Sequence, residues 1–324
     1  MKESSVVPEF REDSQFCQAS VNIDLREGMA RSGQEPGRQI AVKILIIGCG
    51  YLGHRAAQRW LKAGHSVTAL TRSQQRSADW REQGIAPILG DVVDPASLTD
   101  LPQADLCLYS VGFDRSGAHE KRTVYVDGLR NVLQAVTRKI PRVLYISSTS
   151  VYGQDEGEWV NEDSLCEPTS EGGKICLVAE QELADWAKTT GSGHLVLRLS
   201  GLYGPGRMID RLEQFRSRTP LPGNPDAWLN LIHVDDAART VCRLSESPFP
   251  ASLLLLSDEC PLRRREFYSH LATLAATPPP IFNATEAAGL NKRCDSSRVR
   301  KLLGMKLEYP TAREGLEQIL ASTD

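Results

Sequence analysis

The sequence has no run of about 20 apolar residues, which is the length that a helix needs to cross a bilayer. It also has little excess charge: the net charge is -3 over 324 residues, and no basic run is interleaved with aromatic residues. Such a chain generates no field that would attract nucleic acid or an anionic membrane. The first residues lack the basic and then apolar order of a signal peptide. We therefore expect a cytoplasmic globular protein that binds neither nucleic acid nor a membrane.

The eight cysteines make neither a C-x-x-C pair nor a repeated spacing, although a zinc site or a dithiol motif would need one or the other. Cys49, Cys107 and Cys242 stand within apolar runs, where a cysteine is ordinarily a small buried hydrophobic residue. The sequence therefore predicts reduced thiols and no metal site.

The patterning of apolar residues changes near residue 40. Residues 1–40 are polar and contain several prolines and glycines without a sustained apolar period, which predicts a disordered extension. From Val42 on, short apolar strands alternate with helical segments, beginning with KILIIG, a helix from Tyr51 to Ala63, and SVTAL. Further strands are predicted near 86–89, 106–111, 143–147 and 195–199, and helices near 119–138 and 173–189. This alternation predicts an α/β fold, a Rossmann-type doubly wound parallel sheet with helices on both faces.

The pattern loosens after Ser200, where prolines and glycines are frequent and the elements are short. We expect the Rossmann domain to span residues 41–200 and to be completed by residues of about 230–258, because a helix and an apolar strand recur there. Residues 201–229 and 259–324 would then form a smaller C-terminal substrate-binding domain.

A glycine-rich loop follows the first predicted strand. Gly48, Gly50 and Gly53 fit the pattern G-x-G-x-x-G, in which the first glycine permits a tight turn, the second lets the backbone approach a pyrophosphate and the third allows close helix packing. Glycines also cluster by chance, but here they lie between a strand and a helix that begins at Tyr51 and Leu52. The free N–H groups of that helix start would face phosphates. The loop therefore predicts a nicotinamide dinucleotide site.

The end of the second strand bears on the choice between NAD and NADP. An NAD site usually places an acidic residue there to hold the ribose hydroxyls, but the sequence has Thr71, Arg72 and Ser73. An arginine can pair with the 2′-phosphate that only NADP carries. We therefore expect NADP, with NAD as the alternative, and assign Arg72 and Ser73 to the cofactor site, with Arg55 and Arg76 as candidate helpers. A solvated surface arginine is the alternative interpretation of Arg72.

Asp91 follows the third predicted strand, in the segment GDVVD. Its carboxylate could accept a hydrogen bond from the adenine amino group, or it could cap the helical segment after Pro95. We favour the adenine contact. Val92 beside it and Val111 at the end of the fourth strand complete the predicted cofactor site.

Five segments carry a resemblance to a known family. GCGYLG, GDVVD, YISSTSVYG, LRLSGLYGPGR and LIHVDDAA occur in the order found in the short-chain dehydrogenase/reductase superfamily, in its extended, epimerase/dehydratase-like branch. The resemblance covers nearly everything from residue 42 to the C-terminus. It implies, in that order, a pyrophosphate loop, an adenine contact, a catalytic Ser or Thr, a border of nicotinamide and substrate, and packing of the substrate domain. It also implies a homodimer, since this family often pairs through two long helices.

The resemblance assigns the catalytic hydroxyl to Ser148, four residues before Tyr152. A strand-end hydroxyl that only satisfies backbone groups is the alternative for Ser148. The active-site Asn of the family falls on Tyr125, and Asp127 could take over a polar role. The candidates for proton transfer are therefore Ser148, Tyr152 or an ordered water molecule, and Asp127 is a further candidate for the catalytic site.

The Tyr-x-x-x-Lys pair of the family falls on Gly172 and Cys176. In that pair the lysine lowers the tyrosine pKa, so that the phenol can pass a proton while hydride moves to or from nicotinamide. A slip of two residues would pair Ser170 with Lys174, but a serine hydroxyl is far less acidic than a phenol. These departures resemble the atypical members of the family, which keep the dinucleotide site and lose most of the catalytic residues.

The segment GLYGPGR supplies candidates for the substrate pocket, because the aromatic Tyr203 and the cationic Arg207 suit a polar ligand. The resemblance implies that His233 orders the turn into a helix, with acid/base catalysis as the alternative, and that Arg198 is structural. Residues 291–293 (Asn, Lys, Arg) either face the substrate cleft or form a solvated basic turn.

Two functions follow from these residues. The first is an NADP-dependent oxidoreductase or epimerase that acts on a small polar or sugar-nucleotide-like substrate with an unusual proton donor. The second is a non-catalytic NADP-binding sensor or regulatory module, in which binding of the dinucleotide stabilises one form of the protein.

Overall fold

A computed structural model describes residues 41–114, 116–283 and 289–321. The predicted disordered extension, residues 1–40, lies outside the described residues. The strands are β1 (Lys43–Ile47), β2 (Ser66–Thr71), β3 (Ala86–Leu89), β4 (Leu106–Tyr109), β5 (Arg142–Ser148), β6 (Glu158–Val160), β7 (Gly193–Leu199), β8 (Gly201–Tyr203), β9 (Leu221–Pro222), β10 (Trp228–Leu229), β11 (Leu231–His233), β12 (Leu253–Leu256), β13 (Leu262–Arg263), β14 (Phe282–Asn283) and β15 (Lys292–Cys294).

The α-helices are α1 (Tyr51–Lys62), α2 (Gln74–Glu82), α3 (Gly128–Val136), α4 (Glu171–Thr190), α5 (Ile209–Arg216), α6 (Val234–Ser245), α7 (Arg264–Leu274), α8 (Ser297–Leu303) and α9 (Ala312–Ala321). A π-helix at Thr123–Asp127 leads into α3. Within the described ranges, no helix is both long enough and apolar enough to cross a membrane.

The central sheet has seven strands in the order β12-β7-β5-β4-β1-β2-β3. All of its neighbouring strands run parallel. The direction in which the chain adds strands reverses between β1 and β4, and in doubly wound sheets the ligand crevice lies at the carboxyl ends of the strands at such a point. The predicted Rossmann-type doubly wound sheet is thus confirmed.

Alternation along β1 explains why both faces of the sheet are covered. Ile44 and Ile46 are fully buried in one apolar cluster, together with Trp60 of α1. Leu45 and Ile47 are buried in a second cluster, together with Leu129 of α3. Successive side chains of a strand point to opposite faces, so an unbroken apolar strand requires a helical layer on each side.

A second, smaller layer is formed by residues that follow β7 in the chain. It has its own apolar cluster, in which Phe215 of α5, Phe267 of α7 and Leu316 of α9 are buried. Its strands are short and form two-stranded pairs, β8 with β11, β9 with β14 and β10 with β13. The chain returns from this layer to add β12 beside β7, so the two layers interleave in sequence.

A buried ion pair joins α4 to β7 beneath the carboxyl ends of the strands. The Nη2 of Arg198 lies 2.6 Å from the Oε2 of Glu180, and their side chains are 6% and 9% exposed. The Ser147 hydroxyl donates to Glu180 over 2.5 Å, and Arg198 also donates to the Tyr152 hydroxyl over 3.0 Å. The structural role predicted for Arg198 is therefore confirmed.

We expect Arg198→Met to lower the free energy of unfolding by about 3–5 kcal/mol, because Glu180 would remain buried without its partner. Arg130→Met is the matched control. Arg130 lies at the same 2.6 Å from Glu182, but these side chains are 42% and 29% exposed, and an exposed pair contributes about 0–1 kcal/mol. Urea denaturation of both variants measures the difference. Equal losses of stability would contradict the buried role.

Candidate active site

An open groove lies over the carboxyl ends of β1, β2, β4 and β5. Its volume is about 540 Å³, and small-molecule sites typically have volumes of about 300–1,000 Å³. At one end the groove contains the glycine loop, and at the other end it contains residues of β5 and α4. It brings together ten of the residues predicted for the site, Gly48, Gly50, Tyr51, Leu52, Arg72, Asp91, Val92, Val111, Ser148 and Arg207.

The three glycines of the loop have different surroundings. Gly48 has a φ of +92°, and an added Cβ would lie 2.5 Å from the carbonyl carbon of Ser110. A Cβ on Gly53 would lie 2.6 Å from the Gly48 carbonyl oxygen, whereas a Cβ on Gly50 would meet no atom within 4 Å. The loop is therefore tight at its first and third glycines and open to the groove at its second.

The loop leads directly into α1, whose N-cap residue is Gly50. Among the residues that the structure describes, no side chain caps this helix, so the N–H groups of its first turn are available to an anion. The Ser110 hydroxyl donates to the Gly48 carbonyl over 2.9 Å and holds the other side of the loop. Sequence reasoning missed Ser110, because its contact joins β4 to β1.

Tyr51 connects the loop to the segment that follows β8. Its hydroxyl donates to the Pro205 carbonyl over 3.0 Å. The guanidinium carbons of Arg55 and Arg207 lie 4.3 Å and 4.4 Å from the centre of its ring. Burial raises the pKa of Tyr51, while the charges of Arg55 and Arg207 act in the opposite direction. Tyr51 is therefore a neutral phenol that holds Arg207 at the groove.

Arg72 lies at the other wall of the groove, with its side chain 58% exposed. Its guanidinium is 3.9 Å from the Asp91 carboxylate and 3.6 Å from that of Asp114. Hydrogen bonds from the hydroxyl and N–H of Ser116 lower the pKa of Asp114, and Arg72 adds to this effect. Asp114 was not predicted, because it reaches Arg72 from the loop after β4.

The structure tests one of the two roles considered for Asp91, which is the cap of the helical segment after Pro95. Asp94 is the residue that caps the helical turn after Pro95, because its side chain accepts from the Ala96 N–H over 3.1 Å. The Asp91 carboxylate accepts from the N–H of Val93 over 3.2 Å and faces the groove. The capping alternative for Asp91 is therefore excluded.

Arg72, which directly follows β2, lies at the groove, but not all of the residues predicted to assist it do. Ser73 is the N-cap of α2 and accepts from the N–H of Arg76 over 3.2 Å. Arg76 lines the groove. Arg55 instead lies 3.5 Å from the Asp235 carboxylate and donates to the Tyr51 carbonyl. Ser73 and Arg55 are not among the residues that line the groove.

Ser148 ends β5 and lines the groove. Its hydroxyl accepts from the Ser150 N–H over 3.1 Å, so the residue also satisfies a backbone group, which was the alternative considered for it. Its own hydroxyl hydrogen remains available to a ligand. Ser148 is therefore the predicted catalytic candidate that the structure brings to the groove.

The structure corrects the placement of the two other residues predicted for the catalytic site. Tyr152 is fully buried, its hydroxyl accepts from Arg198, and burial raises its pKa to about 12. Asp127 lies 2.9 Å from Arg130, with a side chain that is 45% exposed. Neither residue lines the groove, because Tyr152 turns into the core beside β7 and Asp127 lies on the outer side of its helix.

The positions of the missing tyrosine and lysine lie on α4. Cys176 is buried and lines the groove, and burial raises the pKa of its thiol. Ser170 is the N-cap of α4 and accepts from the Gly173 N–H over 3.1 Å. Lys174 lines a different cavity, between α4 and β7. The alternative pair of Ser170 and Lys174 is therefore excluded.

Tyr203 does not reach the groove as expected. It is fully buried, its hydroxyl donates to the Thr311 carbonyl over 3.4 Å, and its ring meets His233 edge-on. In the short strand β8, Leu202 lines the groove, so the next side chain must face the opposite way. Arg207, four residues later, is the predicted substrate residue that lies at the groove.

His233 is fully buried and is the N-cap of α6. Its Nδ1 accepts from the Asp235 N–H over 3.3 Å, and burial lowers its pKa. The prediction that this residue orders the turn into a helix is confirmed.

Residues 291–293 neither face the groove nor form a solvated turn. Lys292 is 4% exposed, and its Nζ donates to the Tyr152 carbonyl over 2.9 Å. The Nε of Arg293 donates to the Gly157 carbonyl over 2.8 Å, and the Asn291 side chain accepts from the Trp228 N–H. This segment forms β15, which pairs with β6, so its polar groups are used within the protein.

Comparison with known proteins agrees with this architecture. A sequence profile of the NAD dependent epimerase/dehydratase family matches residues 44–251. Protein YeeZ of Escherichia coli strain K12 is 30% identical over 275 residues, which cover 83% of this chain and 96% of YeeZ.

Solved structures share the fold over most of the chain. A protein from Methylobacillus flagellatus, assigned provisionally to the NAD-dependent epimerases/dehydratases, is 32% identical with a TM-score of 0.72, covering 87% of this chain and 98% of that one. UDP-glucuronic acid 4-epimerase from Bacillus cereus, in complex with UDP-glucuronic acid and NAD, is 19% identical with a TM-score of 0.71, covering 87% and 100%. The latter shows the fold alone.

The matched profile spans the glycine loop and all the residues that line the groove, and the predicted kind of enzyme is the one that this profile describes. The chain belongs to the NAD dependent epimerase/dehydratase family.

Proposed function

We propose that the protein is an NADP-dependent oxidoreductase or epimerase that acts on a small, polar, carbonyl-containing substrate of the sugar-nucleotide type. The observation that carries this proposal is the continuity of the groove, which runs from the glycine loop to Ser148 without interruption. A dinucleotide bound along it would place its phosphates at one end and its reactive ring at the other.

The glycine loop fits a pyrophosphate. The free space around Gly50 allows a phosphate to approach the backbone, and the uncapped start of α1 offers N–H donors to it. A nicotinamide held at the far end would supply hydride transfer, the chemistry that this cofactor provides. Ser148 would then hold the carbonyl oxygen of the substrate, and Arg207 would pair with its anionic group.

The preference for NADP rests on Arg72. The B. cereus neighbour contains NAD, whereas the end of β2 here offers a guanidinium and no acidic residue. The pairs of Arg72 with Asp91 and Asp114 are long and exposed, and such pairs contribute about 0–1 kcal/mol. A charge-assisted hydrogen bond to a phosphate contributes about 1.5–3 kcal/mol. The 2′-phosphate would therefore compete successfully for Arg72, although the two carboxylates reduce its advantage.

A non-catalytic NADP-binding module is the second candidate. The observation that favours it is the absence of a tyrosine and a lysine at positions 172 and 176, where α4 carries a glycine and a buried cysteine. The two candidate functions differ in whether a substrate is turned over and not in whether the dinucleotide is bound. Under either, a homodimer through the long helices and a cytoplasmic location remain predictions.

The first prediction of this proposal concerns turnover. We expect the purified protein to oxidise NADPH slowly in the presence of at least one member of a panel of aldehydes, ketones and nucleotide-linked keto sugars. Loss of the NADPH absorbance measures the reaction, and Ser148→Ala should reduce the rate. Tight binding of NADPH without turnover on the whole panel would favour the non-catalytic module.

The second prediction concerns the glycine loop. Gly50→Ala would place a methyl group where the pyrophosphate approaches, so we expect NADPH affinity to fall at least about tenfold, or ~1.4 kcal/mol. Gly48→Ala is the control for folding, since its φ of +92° and its 2.5 Å contact oppose any side chain. It should lose more stability than Gly50→Ala in thermal melts. If Gly50→Ala binds NADPH as tightly as the wild type, the loop does not hold the phosphates.

The third prediction concerns cofactor selectivity. Arg72→Ala should weaken NADPH binding about tenfold and change NADH binding by less than about twofold, because only NADPH carries the phosphate. Asp114→Asn should strengthen NADPH binding, because it removes a carboxylate that competes for Arg72. Fluorescence titrations with both cofactors measure these effects. The assignment of Arg72 fails if NADH and NADPH bind the wild type equally and neither variant alters this.

A further inference from the structure

A lysine from another segment occupies the space that α4 leaves open at Gly172. A Cβ built on Gly172 would lie 2.7 Å from the Nζ of Lys121. The ammonium group therefore lies against the helix at the position where a larger residue 172 would have its side chain. Its positive charge also reaches Cys176, one turn further along α4, where it partly offsets the effect of burial on the thiol pKa.

Lys121 shares its helical segment with a tyrosine that lines the groove. Tyr125 follows four residues later, and the Lys121 Nζ lies 5.4 Å from the centre of its ring. The tyrosine is half-buried and belongs to the π-helix at Thr123–Asp127. Single π-turns are rare and are frequently found at functional sites. Tyr125 and Lys121 thus form a phenol and ammonium pair in which the phenol lines the groove and the ammonium lies between its ring and α4.

The hydroxyl of Tyr125 is held in place by the backbone. The N–H of Phe113 donates to it over 3.2 Å, and the rings of Phe113 and Tyr125 pack edge-on at 6.4 Å. Within the described part of the chain, no protein group accepts the hydroxyl hydrogen of Tyr125. That hydrogen is therefore free to be donated to a ligand in the groove.

The surroundings of Tyr125 keep it protonated. Burial raises its pKa, the nearby Cys176 thiol adds to this rise, and the Phe113 N–H opposes it. Tyr109 on β4 and Tyr145 on β5 are the other titratable groups whose charges couple to it. A neutral phenol at neutral pH is a proton donor rather than a base.

We propose that Tyr125 is the catalytic proton donor of this groove and that Lys121 is the positioning residue that keeps a positive charge beside it. This inference rests on the proposed oxidoreductase or epimerase function. In the reducing direction, hydride from a reduced nicotinamide forms a C–H bond at the carbonyl carbon of the substrate. The π electrons of the C=O bond move to oxygen, which takes the Tyr125 proton. The resulting phenolate, stabilised by the Lys121 charge, regains a proton from water, and the products are the alcohol and the oxidised cofactor.

The first test removes the hydroxyl and keeps the ring. Tyr125→Phe should lower kcat by about 10²–10⁴-fold, the usual contribution of general acid catalysis, with the Kd for NADPH changed less than about twofold. Tyr268→Phe, in the apolar cluster of the smaller layer, is the matched control and should keep kcat. Retention of wild-type kcat in Tyr125→Phe would overturn the proposal.

The second test needs no substrate. It therefore tests the pairing of Lys121 with Tyr125 even if the proposed function fails because the wild type turns over no compound of the panel. The ionisation of Tyr125 is obtained as the difference between the ultraviolet pH titrations of the parent protein and its Tyr125→Phe variant. Lys121→Met should move this pKa upward, since it removes a positive charge near the phenolate, and Lys121→Arg should restore it. An identical titration with methionine at position 121 would overturn the role of Lys121.

The third test separates function from folding. Alanine is a better helix residue than glycine, and the Lys121 ammonium can move aside, so Gly172→Ala should fold with an equal or higher melting temperature. Its methyl group would nevertheless displace that ammonium. We expect kcat to fall and the Tyr125 pKa to rise in this variant. A stable Gly172→Ala protein with unchanged kcat and titration would show that the ammonium does not act from this position.

Discussion

The meeting of β1 and β4 constrains the geometry of the whole groove. Gly48 directly follows β1 and has a φ of +92°, and a Cβ added to it would lie 2.5 Å from the carbonyl carbon of Ser110, which directly follows β4. The strands can approach this closely because residue 48 has no Cβ. The Ser110 hydroxyl then binds the Gly48 carbonyl, and Gly53 packs on that same carbonyl. This packing fixes the start of α1, so the loop presents backbone donors at the point where the strand order reverses.

The position of Ser148 at the far end of the groove depends on a buried ion pair behind it. Ser147, next to Ser148, donates to Glu180, and Glu180 is held by Arg198. These contacts tie the end of β5 to α4 and β7, so Ser148 is delivered to the groove by a rigid support rather than by a loop. Tyr152 and Lys292 extend the same support into the smaller layer. Several polar residues that resemble catalytic groups in the sequence are therefore structural, because a buried charge needs partners on every side.

The sequence was sufficient to predict the features that local patterning determines. Neighbouring residues alone identify the apolar strands, the arginine after β2 and the spacing of Gly48, Gly50 and Gly53. The direction of side chains in short elements cannot be predicted in this way. Leu202 and Tyr203 differ only in which side of a three-residue strand they occupy. Which of Asp91 and Asp94 caps the turn after Pro95 likewise depends on the direction of the side chains. Contacts between distant segments, such as Asp114 with Arg72 or Lys121 with Gly172, leave no local signal. The Lys-x-x-x-Tyr spacing could, however, have suggested that Lys121 pairs with Tyr125.

We propose that one groove aligns a dinucleotide between the glycine loop and a proton donor on the π-helix. A crystal structure of the protein in complex with NADP⁺ tests it most directly. The account predicts density for the pyrophosphate over Gly50, for the 2′-phosphate at Arg72, and for the nicotinamide ring between Ser148 and Tyr125. A pyrophosphate held elsewhere, or a nicotinamide ring that leaves the groove away from Ser148 and Tyr125, would contradict it.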